Sequence, residues 1–82
     1  MKNIYVLSTC NVWKEWSSRE IILVTTSIRK LRKEIKWRVK KGDFEIGNDR
    51  MYDDWIHGNY IGCKHSDLDD ILEYGMLEVW ED

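Results

Sequence analysis

Residues 28–41 carry aliphatic side chains at helical spacing and basic side chains almost everywhere else. At 100° per residue, the four aliphatic side chains fall within an arc of about 80° on the helix surface: Ile28, Leu31, Ile35 and Val39. Thr26 or Ser27 is a suitable N-cap, and Gly42 supplies the usual stop after the last turn. A stripe this narrow is buried against one flat layer, so the segment predicts a helix that lies on one face of a β-sheet.

Two runs rich in β-branched and aromatic residues precede that helix and predict the sheet. Residues 2–9 read KNIYVLST and residues 20–26 read EIILVTT, with no glycine or proline in either run. The intervening residues 10–19 are too many for a tight turn, but few enough for a hairpin loop with Trp13 and Trp16 at its tip. We therefore expect two antiparallel strands joined by a long loop.

The second half of the chain predicts two shorter helices and a last strand. Residues 43–46 are a candidate short strand, and residues 49–57 carry the i, i+4 apolar pairs of a short helix. Ser66 is predicted to open another helix, with Asp69 in the N3 position of a capping box. Residues 76–80 alternate between apolar and other side chains, which predicts a strand beside the first one.

These elements predict one α+β domain of 82 residues with the order β-β-α-(α)-α-β. Its three-stranded antiparallel sheet is covered on one face by two or three helices, and Trp55 and Trp80 are expected in the core. Cys10 and Cys63 are too few for a disulfide scaffold and are expected to be reduced thiols. Without a signal-peptide pattern or an apolar run long enough to span a bilayer, the chain is expected to be cytoplasmic.

The formal net charge of −2 hides a strong asymmetry along the chain. Residues 27–41 hold eight basic side chains and one acid, whereas residues 43–82 hold two basic side chains and twelve acids. The helical wheel places Trp37 opposite the apolar stripe, ringed by five cations: Arg29, Lys30, Lys33, Lys40 and Lys41. Exposed large aromatic residues are uncommon without a partner, so this face predicts a docking surface for protein or nucleic acid.

Two alternatives remain for the basic face and its indole. The face is simply solvated, or Trp37 is covered by a dimer mate or by the acidic half of the chain. Trp13 and Trp16 are a second pair of candidate anchors for a protein interface, unless they fold back and close the end of the core. With Lys14 and Arg19, the same two tryptophans are also suited to holding a nucleotide by stacking and charge.

Three groups of residues have chemistry suited to catalysis or metal binding, but none forms a convincing set. The spacing of His57, Cys63 and His65 matches no standard zinc site, and a buried Cys63 with two surface histidines is the simpler interpretation. Cys10 as a nucleophile lacks a following helix start or glycine-rich loop for an oxyanion site. We therefore expect no metal, no cofactor and no catalytic residue.

The acidic side chains of the second half are more typical of helix caps and a solvated surface than of a Mg²⁺ site. They are also candidates for imitating the phosphates of a nucleic acid in a DNA-binding groove. The residues concerned are Asp53, Asp54, Asp67, Asp69 and Asp70.

The first half of the chain resembles a group of small accessory proteins encoded by bacteriophages and mobile elements of AT-rich bacteria. The similarity lies in the opening NIYVLSTCNVW, in SSREIILVTTS and in the basic helix that ends KKGDFE, and the closing LEYGMLEVWED is also similar. The resemblance implies an inhibitor of host machinery, such as an anti-CRISPR or another anti-defence protein, and it carries over no catalytic residue.

The leading hypothesis is thus a non-enzymatic binding protein that inhibits a host factor by occlusion, for example a defence nuclease. Its anchors are the Trp37 helix face and the Trp13 and Trp16 loop, and its acidic half opposes a basic groove. The rival hypothesis is a small nucleic-acid-binding regulator that uses the same basic helix. Salt discriminates the two, because phosphate contacts weaken steeply as the salt concentration rises.

Overall fold

The computed structural model describes residues 3–81, and in them the α+β architecture predicted from the sequence is confirmed. Strands and helices follow in the order β1 Asn3–Thr9, β2 Glu20–Thr25, α1 Ile28–Lys41, β3 Glu45–Ile46, α2 Asp49–Ile56, α3 His65–Ile71, β4 Leu72–Glu73 and β5 Gly75–Glu81, with a 3-10 turn at Trp16–Ser18. Among residues 3–81, no helix is both long and apolar enough to cross a membrane.

The main sheet has the strand order β2-β1-β5, with both pairs antiparallel. In the centre of the sheet, Leu7 of β1 lies between Leu23 of β2 and Leu77 of β5. These three leucines point toward the helices, because side chains alternate between the two faces along each strand. The predicted position of the last strand beside the first is therefore confirmed.

A β-bulge interrupts the pairing of β1 with β2. Leu7 pairs with Leu23, but the next residue, Ser8, pairs with Ile21, so that Ile22 is an extra residue in β2. Such a bulge bends the strand and places neighbouring residues where strict alternation would not. Ile22 and Leu23 both pack against the core, whereas Ile21 is exposed.

Helix α1 lies on this sheet through the apolar stripe predicted from the sequence. Leu31 and Ile35 are fully buried, and Ile28 and Val39 pack against the core from the two ends of the helix. The Ser27 hydroxyl accepts a hydrogen bond from the Lys30 backbone N–H at 3.3 Å and caps the first turn. Gly42 ends the helix at a φ of 97°, a left-handed conformation that favours glycine.

The buried side chains form one cluster, in which Trp55 and Phe44 are the largest fully buried side chains. Trp55 is fully buried, as predicted, and its indole N–H donates a hydrogen bond to Nδ1 of His65 at 2.9 Å. The His65 ring also contacts Tyr5 edge-on and Tyr60 at a tilt. Because this Nδ1 accepts a hydrogen bond, the histidine is neutral, and burial lowers its pKa below the ordinary 6.5.

The predicted N-cap of α3, Ser66, is wrong by two residues, and the capping residues differ. The helix begins at His65, and the backbone N–H of the N-cap Lys64 donates to the Asp67 carboxylate at 3.1 Å. Asp69 does not cap the helix. Its carboxylate accepts from the backbone N–H of Leu77 at 2.6 Å and so ties α3 to β5. This contact between distant segments outweighs the local capping preference of the sequence.

The short strand β4 was not predicted, and the strand expected at residues 43–46 shortens to β3. Ile46 pairs with Leu72 and Glu45 with Glu73, so the two form a separate two-stranded sheet. Its side chains and the adjoining Phe44 close one end of the core.

Trp80 is also placed differently from the prediction, because it lies outside the core with 58% of its surface exposed. Leu77 of β5 points into the core, so alternation sends Met76, Glu78 and Trp80 to the opposite face of the sheet. No helix of residues 3–81 covers that face. Aromatic content alone does not predict burial here, since a side chain's position in the strand alternation decides whether it faces the core.

Replacement of Gly75 by alanine tests how closely β5 approaches the core. A Cβ at this position would lie 2.9 Å from Cε1 of the buried Phe44 ring. We expect Gly75→Ala to lower the free energy of unfolding by about 1 to 3 kcal/mol, measured by urea denaturation. Gly47→Ala is the control, because its Cβ would meet only the Ile71 carbonyl oxygen at 3.5 Å. Equal stability of the two variants would contradict the packing described.

The burial of His65 makes the stability of the fold depend on pH. The unfolded chain binds a proton near pH 6.5, whereas the native histidine, with its lowered pKa, stays neutral until the pH is lower. The free energy of unfolding should therefore fall as the pH drops through 6.5, because protonation favours the unfolded chain.

The measurement is urea denaturation from pH 7.5 to 5.5. His65→Asn keeps an acceptor for Trp55 but does not titrate, so the fall should be smaller than in the parent chain. His57→Asn, at an exposed histidine, is the control for the loss of a histidine outside the core. An unchanged profile in His65→Asn would contradict the assignment.

Candidate partner-binding surface

Trp37 lies on the solvent side of α1 with 52% of its surface exposed. The exposure predicted by the helical wheel is confirmed. The ring is not directly opposite the sheet, however, because it shares an open groove of about 400 Å³ with Leu23 of the edge strand β2. Lys30, Lys33 and Glu34 complete the lining of this groove, which we call the Trp37 groove.

Two cations hold the Trp37 ring in place. Lys41 Nζ lies 4.7 Å from the ring centroid, and Cζ of Arg38 lies 5.1 Å from it, both within the range of a cation–π contact. Arg38 is itself fixed by Glu34 at 2.8 Å and by Asp43 at 2.9 Å. These hydrogen bonds, with Glu34 first, raise the pKa of Arg38. The indole is therefore supported on a rigid base with an open face toward solvent.

The ion pair between Glu34 and Arg38 also determines the charge of the Trp37 groove. Because Arg38 neutralises Glu34, the remaining Lys30 and Lys33 make the rim of the groove basic. Of the five cations predicted around the indole, Lys41 lies over the ring and these two line the groove. The other two do not: Arg29 lines a different groove, and Lys40 is exposed and lines neither.

A second groove, of about 280 Å³, lies on the opposite flank of α1 against Ile56 of α2. Four cations line it: Arg29, Arg32, Lys33 and Lys36. None of the four forms an ion pair with a carboxylate of residues 3–81. We call these four residues the basic stripe. The sequence prediction missed Arg32 and Lys36, although i, i+3, i+4, i+7 spacing would have placed all four on one side of the helix.

The loop tryptophans do not close the core, since Trp13 is 76% and Trp16 is 64% exposed. Cζ of Arg19 lies 4.5 Å from the centroid of the Trp16 ring. Arg19 in turn binds Ser8 and Glu78 on the sheet face that no helix covers. Trp16 and Trp37 are therefore on different layers of the fold.

Both cations of the nucleotide-binding alternative for this loop contact other groups of the protein. The ammonium group of Lys14 donates to the backbone carbonyl of Asp69, on α3, and the Lys14 backbone has a left-handed φ of 53°. Arg19 is occupied by Ser8 and Glu78. Neither cation faces an open pocket between the two indoles.

The histidines and cysteines that were considered for catalysis or metal binding lie in different environments. Cys63 is fully buried, His57 is exposed, and Nδ1 of His65 is occupied by Trp55. Burial raises the pKa of both Cys63 and Cys10, which keeps the two thiols protonated at neutral pH. In residues 3–81, no three side chains of His, Cys, Asp or Glu are grouped so that they could hold a metal ion.

Comparisons with known proteins found no match. Neither protein-family models, nor curated proteins, nor solved structures include one similar to this chain at the significance required. The geometry of the described surface therefore carries the functional inference: an indole fixed in a basic, partly apolar groove on one side of α1, and four cations without ion pairs on the other.

Proposed function

We propose that the protein is a non-enzymatic binding protein that occludes a macromolecular partner through the Trp37 groove. The observation that carries this proposal is the half-exposed indole, which Arg38 and Lys41 hold in place beside Leu23. Interface energy concentrates in a few aromatic and arginine anchors that are ordered before binding. Trp37 has both properties, because its exposed ring is large and its conformation is restricted by its neighbours.

The lining of the groove specifies the chemistry of the partner. Leu23 and the indole offer apolar surface, while Lys30 and Lys33 offer two cations without ion pairs in the described chain. A partner segment with an apolar side chain flanked by carboxylates fits both features. Burial of the apolar side chain would supply affinity, and the carboxylates would supply orientation and a faster approach.

The target class follows from the phage-type resemblance of the sequence. We propose that the partner is a host factor, with a CRISPR-type defence nuclease as the leading candidate. Exposed acids of the second half would face the basic channel in which such an enzyme holds nucleic acid. They include Asp49, Asp53, Asp70, Glu73 and Glu81. Inhibition would then consist of covering the channel, with no chemical step on the inhibitor.

Capture from a lysate of the bacterium that carries the gene tests this function. We expect the tagged protein to recover a defined host protein, identified by mass spectrometry, and Trp37→Ala combined with Lys33→Glu to lose it. Truncation of an anchor residue costs about 2 kcal/mol or more, which is at least a thirty-fold loss of affinity.

The matched control is Ile61→Ala combined with Lys64→Glu. It removes an exposed apolar side chain and reverses one lysine on the opposite half of the chain. This variant should retain the partner, and both variants should unfold at the parent's denaturant midpoint. Identical capture by all three proteins would exclude the Trp37 groove as the binding surface.

The basic stripe favours a second candidate function, the binding of nucleic acid. Its four cations lie along one flank of α1 without carboxylate partners in residues 3–81, which suits contact with successive phosphates. The acidic second half opposes this function, because it repels the rest of the duplex.

Titration of a labelled oligonucleotide in a salt series tests this second candidate. Contact with about four phosphates should give a slope of log K against log salt of about −3 to −4. Arg32→Glu combined with Lys36→Glu should abolish binding. The control, Lys40→Glu combined with Lys64→Glu, makes the same change in net charge outside the stripe and should bind more strongly than the stripe variant. Equal loss in both variants would indicate a general charge effect.

A further inference from the structure

The face of the main sheet opposite the helices is unusually apolar. An antiparallel sheet that packs helices on one side normally presents polar side chains on the other. Here alternation turns Ile4 and Val6 of β1 and Val24 of β2 to the outer side, together with Trp80 of β5. Val24 is 59% and Trp80 58% exposed. We call this surface the open face.

The bulge and the long loop extend the open face at one end. Ile21 pairs with Ser8 because of the bulge, and it is 55% exposed on this side. Trp16, in the loop before β2, adds to this surface, because its ring stacks on Arg19 and Arg19 lies across the open face. Four large apolar side chains more than half exposed are thus gathered here: Trp16, Ile21, Val24 and Trp80. Monomeric proteins rarely expose a contiguous apolar patch of this kind.

A neutral polar network occupies the middle of the open face. Arg19 Nε donates to Ser8 Oγ at 2.9 Å, and Arg19 Nη1 lies 2.7 Å from Glu78 Oε1. The other Glu78 oxygen accepts from the Trp80 indole N–H at 3.0 Å. The single cation and the single anion of the network are therefore paired with each other. Within residues 3–81, the open face has no unbalanced charge, in contrast to the basic α1 and the acidic exposed residues elsewhere.

We propose that the open face binds a second copy of this chain, so that the protein forms a face-to-face homodimer. Neutrality favours this occupant, because two identical faces meet without repulsion only when neither carries net charge. Shape favours it as well, because the outer side of a three-stranded antiparallel sheet packs face to face on an identical sheet.

A two-fold axis parallel to β1 gives a dimer that buries the exposed side chains. It lays β2 of one copy over β5 of the other at the same level along the strands, so that Val24 lies opposite the second copy's Glu78, beside Trp80, and Ile21 lies opposite its Met76, across the usual sheet spacing of about 10 Å. The Arg19–Glu78 ion pairs would be enclosed together with the hydrogen bonds that Ser8 and Trp80 make to them, because burial of a charge requires a partner.

This dimer is independent of the proposed function, because the Trp37 groove lies on the helix layer. Each copy would keep its groove open, and the two grooves would point away from each other. The dimer therefore differs from one in which the mate covers Trp37.

Sedimentation equilibrium of the purified chain tests the proposal. We expect twice the chain mass at a concentration of about 100 µM, where a micromolar dimer is almost fully formed. Val24→Lys places an unpaired charge in the interface and should weaken dimerisation about 100-fold or more. Trp80→Thr removes the opposing aromatic surface and should weaken it as well.

Ile61→Lys and Trp37→Ala are the controls. Ile61 is 95% exposed in the segment between α2 and α3, and Trp37 lies on the helix layer, so both variants should remain dimeric. Circular dichroism and urea denaturation verify that every variant is folded. A monomeric parent chain at this concentration would overturn the proposal. It would also be overturned if folded Val24→Lys and Trp80→Thr both associated as tightly as the parent, which would locate the interface elsewhere.

Discussion

Strand β1 pairs with β2 along one edge and with β5 along the other, and its four central residues, Tyr5 to Ser8, are all buried. Hydrogen bonds on both sides fix its position, so the remaining elements are arranged around it. Tyr5 and Leu7 receive the helices and the aromatic residues of the second half. Val6 and Ser8 are covered on the other side by their strand neighbours and by Arg19. The two faces of one strand thus organise the two surfaces on which function is proposed.

Charge segregation along the sequence becomes segregation in space, but without broad ion pairing. Among the described residues, the contacts of the basic helix with carboxylates are confined to its own Glu34 and to Asp43 just beyond its end. Helix α1 is instead attached to the sheet by apolar contacts, which leaves its cations available to a partner. We propose the Trp37 groove for an acidic protein segment and the basic stripe for a chain of phosphates, and the salt dependence of binding distinguishes the two.

Local sequence patterns predict the structure correctly where the repeat of apolar side chains within one element decides which residues are buried. The aliphatic stripe, the Ser27 cap and Gly42 predict α1 correctly, and the outward position of Trp37 follows from the same wheel. The hairpin and the place of the last strand were also predicted. The assignment of these side chains to a partner stays a prediction, because exposure alone does not identify what binds.

The errors occur where distant segments meet. Asp69 accepts a hydrogen bond from the Leu77 backbone N–H instead of capping its own helix. The strand β4 exists only because β3 pairs with it. Trp80 was expected in the core because of its size, whereas its place in the strand alternation directs it outward. The groove beside Trp37 needs Leu23 from another element, so a helical wheel cannot reveal it.

The bulge in β2 has a consequence for how this chain tolerates insertions and deletions. Ile22 has no residue of its own opposite it in β1, so its loss would turn the irregular ladder into a regular one and keep Ile21 and Leu23 on their present faces. Deletion of Val24, on the other side of the bulge, would move Leu23 into the place of Val24, so that its side chain would point to the outer face of the sheet and away from the core. At this position the strand can therefore change its length by one residue without inverting its faces, and the cost is limited to the packing of Ile22 against the core.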